Sequence, residues 1–261
     1  LTSEQELFDI HAQGYVGGLS EGAQTVMASF NSWNGDKCHG HKQLLTDVLK
    51  DEMGFEGFII SDWDGIDYLS EDYYDAVGKG VNAGIDMFMV SVEWIEFISH
   101  VRNHVLNGTV SMQRIDDAVR RILLTKFAAG LFEKPRPQER PWSNSDSFGA
   151  DQHREIAREA VRKSMVLLKN QDELLPLKKQ ARILVAGKSA DNRGHQCGGF
   201  TVAWQGVQDN ESIVGGTSVW EGIKNQAANA VLSEDGLGLD ADPTLHDVAV
   251  VVIGERPYAE G

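Results

Sequence analysis

The chain has 261 residues, room for one large or two ordinary domains. Its apolar share of 41% and charged share of 24% are those of a globular protein. A formal net charge of −15 argues against a nucleic-acid partner, whose phosphates it would repel, and no apolar run approaches the roughly 20 residues of a membrane span.

In chain order, the spacing predicts a helix over 5–19 and a strand over 25–30. Leu44, Leu45, Val48 and Leu49 recur on one face of a helix over 41–52. The run Phe58-Ile59-Ile60 reads as a buried strand that stops at Ser61-Asp62-Trp63. A helix over 72–82 and a strand over 86–90 follow. A helix over 94–106, with Ile95, Ile98, Val101 and Val105 apolar, ends at Asn107-Gly108. Ser111 is placed to cap the next helix, whose buried stripe is Ile115, Ala118, Val119, Ile122 and Leu123. Three strand–helix alternations in 1–133 make part of a (β/α)₈ barrel, a fold that takes about 250 residues.

Residues 134–150 are polar and Pro-rich, a linker. A helix near 152–162 follows it. Apolar runs at 165–168, 183–186 and 248–253 are rich in Val, Ile and Leu, as in strands buried on both faces. A helix over 219–225 intervenes. Residues 151–261 therefore read as the N-terminal part of a parallel-sheet α/β sandwich domain.

Asp62 is the first candidate for chemistry. In parallel α/β proteins ligands bind outside the carboxyl ends of strands, and Trp63 sets a flat apolar ring beside the acid. Such a pairing suits a sugar. An Asp after a strand also serves as a helix cap, so the residue type alone leaves both roles open. Two further carboxylates, Glu255 and Glu260, stand in the tail 252–260. Trp204 closes a Gly-rich stretch, where it is either a binding ring or a core plug. Met89 ends the third strand and by itself reads as core.

These segments together resemble glycoside hydrolase family 3. The segment 54–68 resembles its nucleophile segment, and Ala28-Ser29-Phe30-Asn31-Ser32-Trp33-Asn34-Gly35 its preceding strand and loop. Ala83-Gly84-Ile85-Asp86-Met87-Phe88-Met89-Val90 resembles the following strand, and 114–123 and 162–170 the later helix and the entry to the second domain. The resemblance covers essentially the whole chain and favours the two-domain β-glucosidases and exo-β-glucanases of plants and bacteria. It implies a retaining hydrolase that releases glucose from non-reducing ends of β-glucans or β-glucosides. Asp62 would be its nucleophile and Glu260, in a Pro-Tyr-x-Glu run, its acid/base. Trp63 and Trp204 would clamp the sugar past the scissile bond, and Met89 would line the glucose pocket. Phe30 stands where the plant enzymes have Tyr, and Tyr68 where they have Arg. The resemblance also implies that the barrel's first strands are missing, that the second domain is cut short, and that 1–261 alone is inactive or at most a weak sugar-binding piece. A β-xylosidase is the neighbouring activity within the family.

No cofactor or metal is implied. Cys38-His39-Gly40-His41 lacks a second ligand group at zinc spacing, and Asp62-Trp63-Asp64-Gly65 has its Gly at the wrong offset for a calcium loop. The glycines at 194–206 form neither a P-loop nor a dinucleotide fingerprint. Cys38 and Cys197 make no C-x-x-C pair and read as free thiols. The expected partners are a β-glucan or β-glucoside oligosaccharide and the missing parts of the parent chain, with no nucleic acid and no membrane insertion. Export to the periplasm or medium is the family-level expectation.

Overall fold

The computed structural model describes residues 1–237 and 242–260. It divides into two compact units, Leu1–Ala150 and Asp151–Gly261.

The first unit opens with α1 (Glu4–Glu6), a wider π-type turn Leu7–His11, and α2 (Gln13–Ser20). Strand β1 (Thr25–Met27) pairs in parallel with β4 (Phe58–Ile60), Val26 opposite Ile59. Between them lie the antiparallel strands β2 (Ser32–Trp33) and β3 (Asp36–Lys37). Asn34 and Gly35 both take positive φ there, as a two-residue hairpin turn requires. The helix Gln43–Glu52 follows with π-type bonding, closed by Met53 N–H donating to the Val48 carbonyl at 2.8 Å. Helix α3 (Tyr73–Ala83) starts at Asp72, whose side chain accepts the Asp75 N–H, and stops at Gly84 with φ +118°. Helices α4 (Trp94–Leu106) and α5 (Met112–Ala128) complete the unit, α5 capped by the Ser111 hydroxyl.

The expected strand at 86–90 is reduced to one bridge between Ile60 and Met87. The β4 main chain, a loop and a side chain take the other groups. Asp86 and Met87 donate to the Ile59 carbonyl, Met89 donates to Ser61 Oγ, and the Met89 carbonyl takes the Asp64 N–H. Ile59, Val77 and Ile85 are wholly buried in one core with Leu45, Leu49, Phe55 and Val110. Each such aliphatic side chain contributes about 1.5–3 kcal/mol.

The helix stripes are buried less than expected. Phe97, Val101, Val105 and Ile115 pack on the core, but Ile95, Ile98, Val119 and Leu123 are exposed. The described residues leave those ends of the stripes uncovered.

Beneath the core lies a cluster of charges. Asp86 accepts from Lys50 Nζ at 2.8 Å, from the Ile59 N–H at 2.8 Å and from Arg114. Arg121 binds Asp117 and donates to the carbonyls of Phe55 and Gly57. Burial pushes the Lys50 ammonium below its ordinary value against the pull of Asp86. Asp117 is partly desolvated as well, yet Arg121, Lys50, Arg120 and Arg114 hold it below the usual carboxylate range. These bonds tie the helix Gln43–Glu52 and α5 to the chain leading into β4 and to the start of the 86–90 segment.

The second unit starts with α6 (Asp151–Ser164). Its sheet has the order β6-β5-β7, all parallel, from β5 (Ile183–Ala186), β6 (Val231–Ser233) and β7 (Val248–Val251). Helix α7 (Arg193–Cys197) follows β5, and α8 (Val219–Gln226) precedes β6 with a reciprocal Ser218–Glu221 cap. Ile183, Val185, Ala190, Ala227 and Ala230 form the core. The expected strand at 165–168 is absent from the described structure, and all four side chains are exposed. No described strand lies beside it to accept its main-chain bonds. The neighbour of β5 is instead Val231–Ser233, a run too short to stand out by periodicity.

Candidate active site

Ser61 and Asp62 follow directly on β4. Ser61 is buried, with its N–H on the Met87 carbonyl at 2.9 Å and its Oγ under the Met89 N–H at 2.8 Å. It clamps the end of β4 to the next segment. Asp62 is half-buried. Its main-chain N–H donates to His39 Nε2 at 2.8 Å, and its Oδ1 accepts the Trp63 N–H at 2.6 Å. The helix-cap alternative does not describe this residue, because Asp72 caps α3. Trp63 is 63% exposed, its ring available beside the acid.

Asp64 holds the loop in shape. It takes φ +50°, a conformation that Asp tolerates, and its carboxylate accepts both the N–H and the hydroxyl of Ser91, at 2.9 and 2.6 Å. Phe30 and Tyr68 meet edge to face at 5.2 Å, and Phe30 meets His39 at 6.0 Å. Lys37 Nζ lies 5.9 Å from the Phe30 ring and 5.4 Å from the Tyr68 ring. A cation there is attracted by both ring faces. Phe30 and Tyr68 are thus linked through His39 to Asp62, while Met89 joins through Ser61 and Asp64.

Trp204 and Glu260 come together in the second unit. The indole Nε1 donates to Glu260 Oε2 at 3.1 Å. Gln205 bonds twice to the same tail. Its Nε2 donates to the Glu260 carbonyl at 3.1 Å, and its Oε1 accepts the Ala259 N–H at 2.9 Å. The glycines of the loop are explained by this approach. A Cβ on Gly199 would lie 2.1 Å from the Tyr258 carbonyl, and one on Gly206 2.6 Å from the Pro257 side chain. Glu255 bonds the Tyr258 hydroxyl and raises its pKa.

Sequence reasoning passed over His39, Asp64 and Gln205. His39 and Asp64 stood in view only as parts of metal-like runs. Among the described residues no three metal-ligating side chains come together. Cys38 and Cys197 are free thiols.

A carboxylate and an indole at the end of a parallel strand in one unit, and a carboxylate bonded to an indole in the other, define an α/β protein built on acid–aromatic pairs. The chain belongs to glycosyl hydrolase family 3. The family's N terminal domain matches residues 2–125 and its C-terminal domain residues 165–261. The lysosomal beta glucosidase of Dictyostelium discoideum is 34% identical over 263 residues, 92% of this chain and 32% of that protein. The exo-1,3/1,4-beta-glucanase of a Pseudoalteromonas species superposes with a TM-score of 0.90 at 44% identity, over 99% of this chain and 33% of that one. A mutant beta-glucosidase from Listeria innocua, solved in complex with laminaribiose, has a TM-score of 0.81 at 28% identity, over 98% of this chain and 36% of that one. The chain spans about a third of the length of the curated relatives it matches.

Proposed function

We propose that this chain carries catalytic parts of a retaining β-glucosidase or exo-β-glucanase. Asp62 is the nucleophile. Its Oδ1 is held by the Trp63 N–H, which leaves Oδ2 to bond the anomeric carbon as the glycosidic bond breaks. Glu260 gives its proton to the leaving oxygen. It then takes a proton from the water whose oxygen displaces Asp62. The two carboxyl groups of a retaining enzyme stand about 5–5.5 Å apart. Trp63 and Trp204 grip the ring faces of the sugar past the scissile bond, and Met89, Phe30 and Tyr68 line the glucose side. β-1,3- and β-1,4-linked glucans are the proposed substrates, after the similar exo-1,3/1,4-beta-glucanase and the relative solved with laminaribiose.

The observation that supports this reading is the setting of Asp62. It is a half-buried carboxylate at the carboxyl end of a buried parallel strand, fixed at main chain and side chain and capping no described helix. The test is hydrolysis of an aryl β-glucoside by the protein expressed from its complete reading frame, beside Asp62→Ala. A 2-deoxy-2-fluoro glucoside traps the labelled residue. Loss of turnover with the label on Asp62 is expected. Turnover that survives the substitution, or a label elsewhere, refutes the assignment.

A further inference from the structure

His39 is 1% exposed, and the reaction proposed above gives it no chemical role. A buried imidazole costs free energy unless its ring nitrogens are bonded. Here Nε2 accepts the Asp62 N–H at 2.8 Å. An accepting Nε2 carries no proton, so the neutral ring carries it on Nδ1. Burial favours this neutral state.

The surroundings are shaped for the ring. Gly65 lies against it, and a Cβ there would come within 2.5 Å of Nε2. Phe30 meets it edge to face at 6.0 Å. The turn from Asp62 to Gly65, closed by the Gly65 N–H on the Asp62 carbonyl at 3.1 Å, therefore folds around a fixed imidazole. The adjoining Asp62 N–H and Trp63 N–H then have separate jobs. The first goes to His39, and the second goes to the Asp62 carboxylate. Without an acceptor at Nε2, the Asp62 amide would turn elsewhere and the direction of its side chain would no longer be set.

We infer that His39 is a positioning residue for Asp62, a neutral acceptor that aims the nucleophile through its main chain without touching the sugar. This rests on the reading of Asp62 as nucleophile.

The test uses the protein expressed from its complete reading frame. His39→Leu removes the acceptor, while His39→Gln can place an amide oxygen near the Nε2 position. The primary readout is the rate at which a 2-deoxy-2-fluoro glucoside with an activated leaving group labels the enzyme. Inhibition by glucose reports binding separately. Labelling by His39→Leu is expected to slow by about tenfold or more, the scale of one well-placed hydrogen bond, with glucose inhibition nearly unchanged and His39→Gln recovering most of the rate. Labelling of Asp62 at an undiminished rate in folded His39→Leu overturns this inference alone. So does a His39→Gln protein that is folded but as slow as His39→Leu. A label on another residue overturns the reading of Asp62 and this inference with it. Nitrogen-15 NMR of the wild-type imidazole needs no variant. An unprotonated, hydrogen-bonded Nε2 is expected, and a proton found on Nε2 overturns the inference even if His39→Leu fails to fold.

Discussion

The indole of Trp204 donates to the carboxylate of Glu260 at 3.1 Å, across 56 residues of sequence. Gln205 grips the main chain of the same tail. If Glu260 is the proton donor, its alignment governs hydrolysis only where the leaving group needs that proton. Trp204→Phe keeps a ring and loses the N–H. With poor leaving groups kcat/KM is expected to fall by roughly tenfold, and with 2,4-dinitrophenyl β-glucoside to change little. A series of aryl β-glucosides of graded acidity checks this. Equal losses across the series would mean that the bond to Glu260 has no part in proton transfer.

Gly199 and Gly206 let the loop 198–206 lie against the tail. Gly199→Ala sets a methyl 2.1 Å from the Tyr258 carbonyl, so the backbone must give way. A local cost of about 1–3 kcal/mol is expected. Hydrogen exchange should rise at residues 256–260 and stay unchanged in the core around Ile59. An unchanged tail would show that the approach is looser than described.

The charges around Asp86 form one network. Asp86→Ala removes one carboxylate partner of Lys50 and Arg114, which keep Asp117, and frees the Ile59 N–H. Breaking a buried pair by deleting one member costs about 3–5 kcal/mol, because the remaining charges stay desolvated. Denaturant unfolding should show a lower midpoint of that order. Lys50→Met is expected to be milder, since Arg114 still serves Asp86 and the new side chain is apolar. Equal stability of Asp86→Ala and wild type would contradict the network.

His39 predicts a pH dependence of stability. Burial lowers its pKa from the ordinary 6.5, Lys37 adds to this, and Asp62 and the Ser29 main chain oppose it. The unfolded chain therefore binds the proton first as pH falls. The stabilisation is complete above pH 6.5, declines as pH drops toward the folded-state value, and is constant below it. Thermal unfolding at a series of pH values from about 8 to about 5 should show this slope in wild type and a shallower one in His39→Gln. Parallel slopes would mean that another group governs acid stability.

Much of the architecture was legible in the sequence because it depends on near neighbours. The helix over 94–106, the cap at Ser111, and the strands ending at Ile60 and Ala186 follow from apolar spacing and capping residues within a few positions. Burial was harder to read. Val119 and Leu123 continue a regular stripe yet are exposed, and Met165–Leu168 looks like a strand yet lies open. Periodicity records which side chains are apolar, and burial depends on what lies over them.

The candidate site divides the same way. The sequence alone determined that Asp62 follows a buried strand with Trp63 beside it, because strand, break and aromatic are adjacent. It also carried the acidic tail and the Gly-rich loop. Only the tertiary structure decided that His39 faces the Asp62 amide, that Trp204 and Gln205 hold Glu260, and that Asp64 closes on Ser91. Those partners lie 23, about 55 and 27 residues apart. A hydrogen bond forms only within about 3 Å, and the folded backbone, not the order of residues, brings such groups that close.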